Sequence, residues 1–106
     1  MEMINVDLGS NAYPIHISHS GEDWASPLHD FLKGRVPVIL TNAKVKRLCG
    51  AALTKALSLQ KIEARYLLLP DGERFKNWAT VGQIYRKLVA LSIDRSTPIL
   101  LLGGGV

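Results

Sequence analysis

The chain has 106 residues, a formal charge of +4 and a single cysteine. Apolar residues make up 47% and charged residues 21%, which are proportions of a folded globular domain and exclude a disordered chain. Because only Cys49 is present, an internal disulfide is excluded, and we expect a reducing, cytoplasmic location. The apolar run at residues 98–102 is far too short to span a bilayer, so no membrane partner is expected.

The positive charges are spread along the chain rather than gathered into one patch. Lys44, Lys46 and Arg47 form the single cluster, and no aromatic residue interleaves it for base stacking. We therefore expect no nucleic-acid partner. A small anionic ligand suits this charge better.

A β-hairpin is predicted at the start of the chain. Residues 2–8 alternate in part between apolar and polar side chains, and residues 13–17 form a second extended segment. Gly9-Ser10-Asn11 between them is typical of a turn. Pro14 lacks an N–H donor, so its strand should lie at an edge.

Three short apolar runs further along the chain predict buried parallel strands. They occupy residues 36–40, 62–69 and 98–102. A run that is apolar on both faces suits a strand covered on both sides by helices. The alternation of strands with helical segments predicts an α/β fold, a Rossmann-like parallel sheet with an N-terminal hairpin. No helix follows the final glycines, so we expect a sheet that is incomplete at the C-terminus.

The three predicted helices each carry an apolar stripe that should face the core. The first helix should end at Gly34. Cys49 falls on the second stripe and is expected to be a packed thiol rather than a nucleophile. The stripes are Trp24, Leu28, Phe31 and Leu32; Val45, Leu48, Cys49, Ala52 and Ala56; and Trp78, Val81, Tyr85, Leu88 and Val89.

Polar and glycine-rich segments follow each of the three predicted parallel strands. They are Thr41-Asn42, residues 70–76 and residues 103–106. The carboxyl ends of parallel strands share one edge of a sheet, where ligands of α/β proteins bind. We therefore expect these segments to meet at one rim.

Each segment has a chemical use and a structural alternative. Backbone N–H groups of the terminal glycines could hold a pyrophosphate, although such a triplet is often only a tight turn. Glu73 could accept the two hydroxyls of a ribose, or it could be a first-turn helix residue. Lys76 could reach the same sugar or a phosphate. Asn42 could contact a ribose or base edge, or it could cap a helix.

The segment Leu69-Pro70-Asp71-Gly72-Glu73-Arg74-Phe75-Lys76, about thirty residues before Leu101-Leu102-Gly103-Gly104-Gly105-Val106, resembles 3-dehydroquinate synthase. The hairpin residues Leu8-Gly9 and Tyr13-Pro14-Ile15 and the pair Thr41-Asn42 also fit this resemblance. It covers the whole chain. The triple glycine is shared with the wider glycerol-dehydrogenase-like group.

The resemblance implies an enzyme of the shikimate pathway that uses NAD and a divalent metal, zinc or cobalt. The enzyme converts the sugar phosphate 3-deoxy-D-arabino-heptulosonate 7-phosphate to 3-dehydroquinate and phosphate, and it is expected to be a homodimer. The cofactor-binding residues implied are Asn42 near the cofactor; Asp71, Gly72, Glu73 and Lys76 at the adenosine ribose; and Gly103, Gly104, Gly105 and Val106 at the pyrophosphate.

The family's metal ligands and substrate-phosphate residues belong to a later helical domain, and His16, His19 and His29 do not replace them. We therefore expect residues 1–106 to form an N-terminal NAD-binding domain without catalytic residues or a metal site, inactive alone and weak in NAD binding. Two alternatives remain open. One is a glycerol-dehydrogenase-like oxidoreductase or another sugar-phosphate cyclase, and the other is a non-catalytic association domain.

Overall fold

The computed structural model describes residues 2–19 and 24–104. Its elements follow the predicted order of hairpin, then alternating helices and strands, so the predicted α/β fold is confirmed. The elements are β1 (Glu2–Val6), β2 (Tyr13–Ile17), α1 (Ala25–Leu32), β3 (Val38–Thr41), α2 (Ala43–Ser58), β4 (Arg65–Leu68), α3 (Trp78–Ala90) and β5 (Ile99–Leu101). None of the helices in the described part of the chain has both the length and the apolar character needed to cross a membrane.

The opening hairpin is a two-stranded antiparallel sheet of its own. Strand β1 pairs with β2 from Glu2 opposite Ile17 to Val6 opposite Tyr13. It ends at Val6 rather than at residue 8, because Gly9–Asn11 form a short 3-10 turn. Pro14 lies opposite Asn5. In a sheet of two strands each strand is an edge, as proline requires.

The remaining three strands form a parallel sheet in the order β4-β3-β5. Strand β3 lies in the middle, with Val38 opposite both Arg65 of β4 and Ile99 of β5. The strand begins two residues later than predicted, and Val36 is exposed. Helical connections between parallel neighbours are the expected consequence of this topology.

The core lies on both faces of this sheet. Val38 and Ile39 are both fully buried, and because successive side chains of a strand point to opposite faces, they enter different clusters. Ile39 packs with Leu32, Leu53, Leu57 and Ile62, which places α1 and α2 on one face. Val38 packs with Leu67 of β4 and Leu88 of α3 on the other face.

The predicted apolar stripe of α2 is correct at Ala56 and wrong at most of its other positions. Leu48 is 67% exposed and Cys49 is exposed, so Cys49 is not a packed core thiol. The buried positions are Gly50, Leu53, Ala56 and Leu57. Apolar residues occur around most of this helix, and only contact with α1 and the sheet selects which of them are covered.

The outer positions of α1 and α3 show the same error. Trp78, Tyr85 and Val89 were expected in the core, but they are exposed to 88%, 66% and 75%. Leu88 is buried as predicted, and Ile84 packs beside it instead of the three exposed residues. In α1, Phe31 is half exposed, and the guanidinium of Arg35 lies 5.9 Å from its ring centroid.

Asp94 organises the turn that leads into β5. Its carboxylate accepts hydrogen bonds from the Ser96 backbone N–H at 2.8 Å and the Ser96 hydroxyl at 2.6 Å, with the Thr97 hydroxyl at 3.4 Å. These bonds, the Ser96 hydroxyl first, lower the pKa of Asp94 below its usual 3.8. A depressed pKa means that the turn gains stability above pH 3.8, which it loses as the pH falls through the folded value.

We therefore expect an NMR pH titration to give Asp94 a midpoint below 3.8. Substituting Ser96→Ala removes the hydroxyl donor and keeps the backbone donor, so the midpoint should rise part of the way. A midpoint that does not move in this variant would show that the hydroxyl bond is not formed in solution.

Candidate functional site

The three predicted strand ends meet at one rim of the parallel sheet. Thr41 lies opposite Leu68, and Leu40 lies opposite Leu101, so the chain leaves all three strands at the same edge. A cavity of about 950 Å³ opens there, lined by all three strand ends and by the first turns of α2 and α3. The expectation that these segments converge is confirmed for the residues that the structure describes, which reach Gly104 in the last segment.

Asn42 caps α2 and also faces the neighbouring turn. Its Oδ1 accepts a hydrogen bond from the Val45 backbone N–H at 2.8 Å, as an N-cap residue does. Its Nδ2 lies 3.5 Å from Oδ1 of Asp71, a long polar contact. The helix-cap interpretation of Asn42 is therefore confirmed, and its contact with a ribose or base edge stays a prediction. Because its oxygen already accepts a bond from the helix, the Nδ2 group is the part of this amide that faces the neighbouring turn.

The turn after β4 carries the acidic and basic groups of the cavity. Gly72 has φ +115° and ψ 151°, a region that only glycine adopts readily. A short 3-10 turn over Glu73–Phe75 follows it. Lys76 Nζ lies 2.8 Å from Glu73 Oε1, and both side chains are largely exposed. The two opposite charges thus stand together in the open cavity, where a ligand can reach both.

The glycine segment after β5 also lines the cavity. At Gly103 and Gly104 an added Cβ would meet no atom within 4 Å, so the space beside this backbone is open. A bulky anion can therefore approach their backbone closely. The predicted site residues Gly105 and Val106 lie outside the described residues.

Sequence reasoning missed the contribution of Asn77. Its Oδ1 accepts from the Thr80 backbone N–H at 2.9 Å and caps α3, while its Nδ2 donates to the Arg74 carbonyl at 3.0 Å. The residue therefore fastens the end of the acidic turn to the start of the helix. An asparagine just before a helical stripe is an N-cap signal, so the pattern was available in the sequence.

The cavity also has an apolar lining. Leu40, Leu69 and Ile84 belong to the cluster on the α3 face of the sheet and reach this wall. Trp78, expected in the core, lies at the cavity with its side chain exposed. An apolar wall beside a few polar groups is typical of sites that bind a small organic ligand.

Metal ligands do not assemble among the residues that the structure describes. Over residues 2–19 and 24–104, no group of three His, Cys, Asp or Glu side chains is placed to hold a metal ion. We assign no chemical step to a metal here.

Comparison with known proteins agrees with the sequence motifs. The family described as 3-dehydroquinate synthase N-terminal matches residues 66–106. A 3-dehydroquinate synthase from Pseudomonas fluorescens (strain Pf0-1) is 39% identical over 106 residues, which is 100% of this chain and 28% of that protein. This chain is a relative of the 3-dehydroquinate synthases. It spans a little over a quarter of the length of that synthase.

The match to the synthase family runs through the rim. Residues 66–106 include β4 from its second residue onward, the turn with Asp71 and Glu73, helix α3 and the glycine segment. Two of the three strand ends therefore lie within the family match, and Asn42 lies within the longer alignment to the Pseudomonas synthase. The glycerol-dehydrogenase-like and association alternatives are not favoured by these comparisons.

Proposed function

We propose that residues 1–106 form the N-terminal NAD-binding domain of a 3-dehydroquinate synthase. The observation that carries this proposal is the convergence of Asn42, the Asp71–Lys76 turn and Gly103-Gly104 on one cavity. A dinucleotide needs an acceptor for its ribose, donors for its pyrophosphate and an apolar surface for its base. The rim offers each of these next to the others.

The chemistry of the residues fits this cofactor. Glu73 and Asp71 supply carboxylates for ribose hydroxyls, with Lys76 beside them. The open backbone at Gly103 and Gly104 suits the pyrophosphate, with Gly105 and Val106 proposed to continue it. When bound, NAD would accept a hydride and return it. The residues of this chain bind and orient it, and none of them is assigned a proton transfer.

In the whole protein, this domain would serve the conversion of 3-deoxy-D-arabino-heptulosonate 7-phosphate to 3-dehydroquinate and phosphate. The divalent metal of that reaction, zinc or cobalt, would be held by residues outside those that the structure describes. We further propose a homodimer in the cytoplasm that binds neither nucleic acid nor membrane.

A paired titration with NAD⁺ and NADP⁺, followed by calorimetry and by amide NMR shifts, tests the cofactor proposal. We expect saturable NAD⁺ binding with shift changes at Asn42, residues 71–76 and the glycines. NADP⁺ should bind more weakly, since its 2′-phosphate would approach the carboxylates of Asp71 and Glu73. Equal affinities for NAD⁺ and NADP⁺ would contradict the proposal that this turn binds the ribose. NAD⁺-induced shift changes confined to other surfaces would contradict the proposal that the cofactor binds at the rim.

A further inference from the structure

Thr41 stands out as a polar residue with no assigned role. It is the last residue of β3, and at 4% exposure it is the one buried polar residue in the part of the chain that the structure describes. A buried hydroxyl is costly unless it is hydrogen-bonded. The hydroxyl of Thr41 is therefore expected to have a hydrogen-bond partner within the fold.

The hydrogen bonds of Thr41 join the three strand ends. Its Oγ1 donates to the Leu102 carbonyl at 2.8 Å, across 61 residues of sequence. Its own carbonyl accepts from the Leu69 backbone N–H at 2.7 Å. Asn42, the next residue, caps α2 and faces Asp71. One position in the central strand is thus bonded to the start of both neighbouring loops.

The hydrogen bond from the Thr41 hydroxyl lies at the last residue before the glycine segment that is bonded to the sheet. The Leu102 backbone N–H donates to the Leu40 carbonyl at 3.1 Å, and the Thr41 hydroxyl then holds the Leu102 carbonyl. Gly103 and Gly104 follow directly and have no side chains to anchor them. The direction in which they leave the sheet therefore depends on how firmly Leu102 is fixed.

We infer that Thr41 is a positioning residue that fixes the entry to the glycine segment and so prepares its N–H groups for an anionic ligand. This inference rests on the proposed NAD site, and it deepens that proposal by naming what holds the site in shape. Thr41 does not touch the ligand. Its hydroxyl acts through the Leu102 carbonyl.

Two comparisons separate the effect of the Thr41 hydroxyl from the effect of side-chain packing: the unsubstituted chain with the valine variant, and the serine variant with the alanine variant. Thr41→Val keeps the shape of the native side chain and removes the donor. Thr41→Ser and Thr41→Ala both lack the methyl group and differ only in the hydroxyl. If the valine variant does not fold, the serine–alanine pair still isolates the hydrogen bond.

Amide hydrogen exchange at Leu102, Gly103 and Gly104 gives a readout that needs no ligand. We expect faster exchange in the valine and alanine variants and near-native exchange in the serine variant. The affinity for NAD⁺, measured by NMR shifts, should fall roughly two- to tenfold wherever the hydroxyl is absent, the effect of one ordinary hydrogen bond.

The possible failures are distinguishable. If the unsubstituted chain binds no NAD⁺, the proposed function fails, and the exchange rates still decide the role of Thr41. If NAD⁺ binds and the valine variant equals the unsubstituted chain in affinity and exchange, the positioning role is wrong. Equal losses in the serine and alanine variants would assign the effect to packing and would also overturn it.

Discussion

Substituting Gly72→Ala is expected to weaken NAD⁺ binding about five- to hundredfold. Gly72 has φ +115° and ψ 151°, and holding an alanine there costs roughly 1–3 kcal/mol of backbone strain. An added Cβ would meet no atom within 4 Å, so a steric collision is not the cause. The free turn should relax to another conformation, and each 1.4 kcal/mol needed to restore it on binding costs about tenfold in affinity.

The matched control for this variant is Gly9→Ala. Gly9 also has a positive φ, +65°, and open space at its Cβ, but it lies in the turn of the hairpin. Its substitution should strain the backbone similarly and leave the affinity for NAD⁺ unchanged. The measurement is calorimetric titration, with circular dichroism to show that both variants are folded. A Gly72 variant with native affinity would mean that the turn conformation does not matter for binding.

The order of the elements was predictable because its signals are local. Turn residues at Gly9–Asn11 mark the hairpin, and apolar runs mark strands that are buried on both faces. Val38 and Ile39 show why the second signal works, since these neighbours enter opposite core clusters. A strand of that kind needs helices on both sides, and the pattern of the chain supplies them.

The face that each helix turns toward the sheet was less predictable than the order of the elements. Along α3, two overlapping stripes of apolar residues fit a helical period, and one of them contains both Ile84 and Leu88. The other contains Trp78, Tyr85 and Val89, which the described residues leave exposed. Periodicity cannot choose between such stripes. The choice is made by contacts with a sheet whose position depends on distant residues.

The candidate site divides in the same way between local and long-range information. The roles of Asn42 and Asn77 as helix caps are legible in the sequence, because a cap bonds to a residue three positions away. The bond from Thr41 to Leu102 crosses 61 residues. No pattern within either segment predicts that pair, and only the register of β3 with β5 brings the two together.

Substituting Glu73→Gln is expected to weaken NAD⁺ binding about ten- to hundredfold with little change in stability. Hydrogen bonds to a charged group contribute about 1.5–3 kcal/mol, and a neutral amide at Glu73 would lose that charge. The ion pair with Lys76, at 2.8 Å, lies between exposed side chains, so its loss should change the free energy of unfolding by less than about 1 kcal/mol. Binding and stability should therefore respond separately.

The adenosine half of the cofactor makes this test specific to the ribose. Adenosine monophosphate should lose the same factor of affinity as NAD⁺, while nicotinamide mononucleotide should be unaffected. Glu63→Gln is the matched control, because Glu63 is an exposed carboxylate that precedes β4, at the opposite end of that strand from the rim. Native affinity for adenosine monophosphate in the Glu73 variant would place the ribose elsewhere. A loss shared by the Glu63 variant would instead point to a general effect on folding, since removing a distant negative charge favours rather than weakens the binding of an anionic ligand.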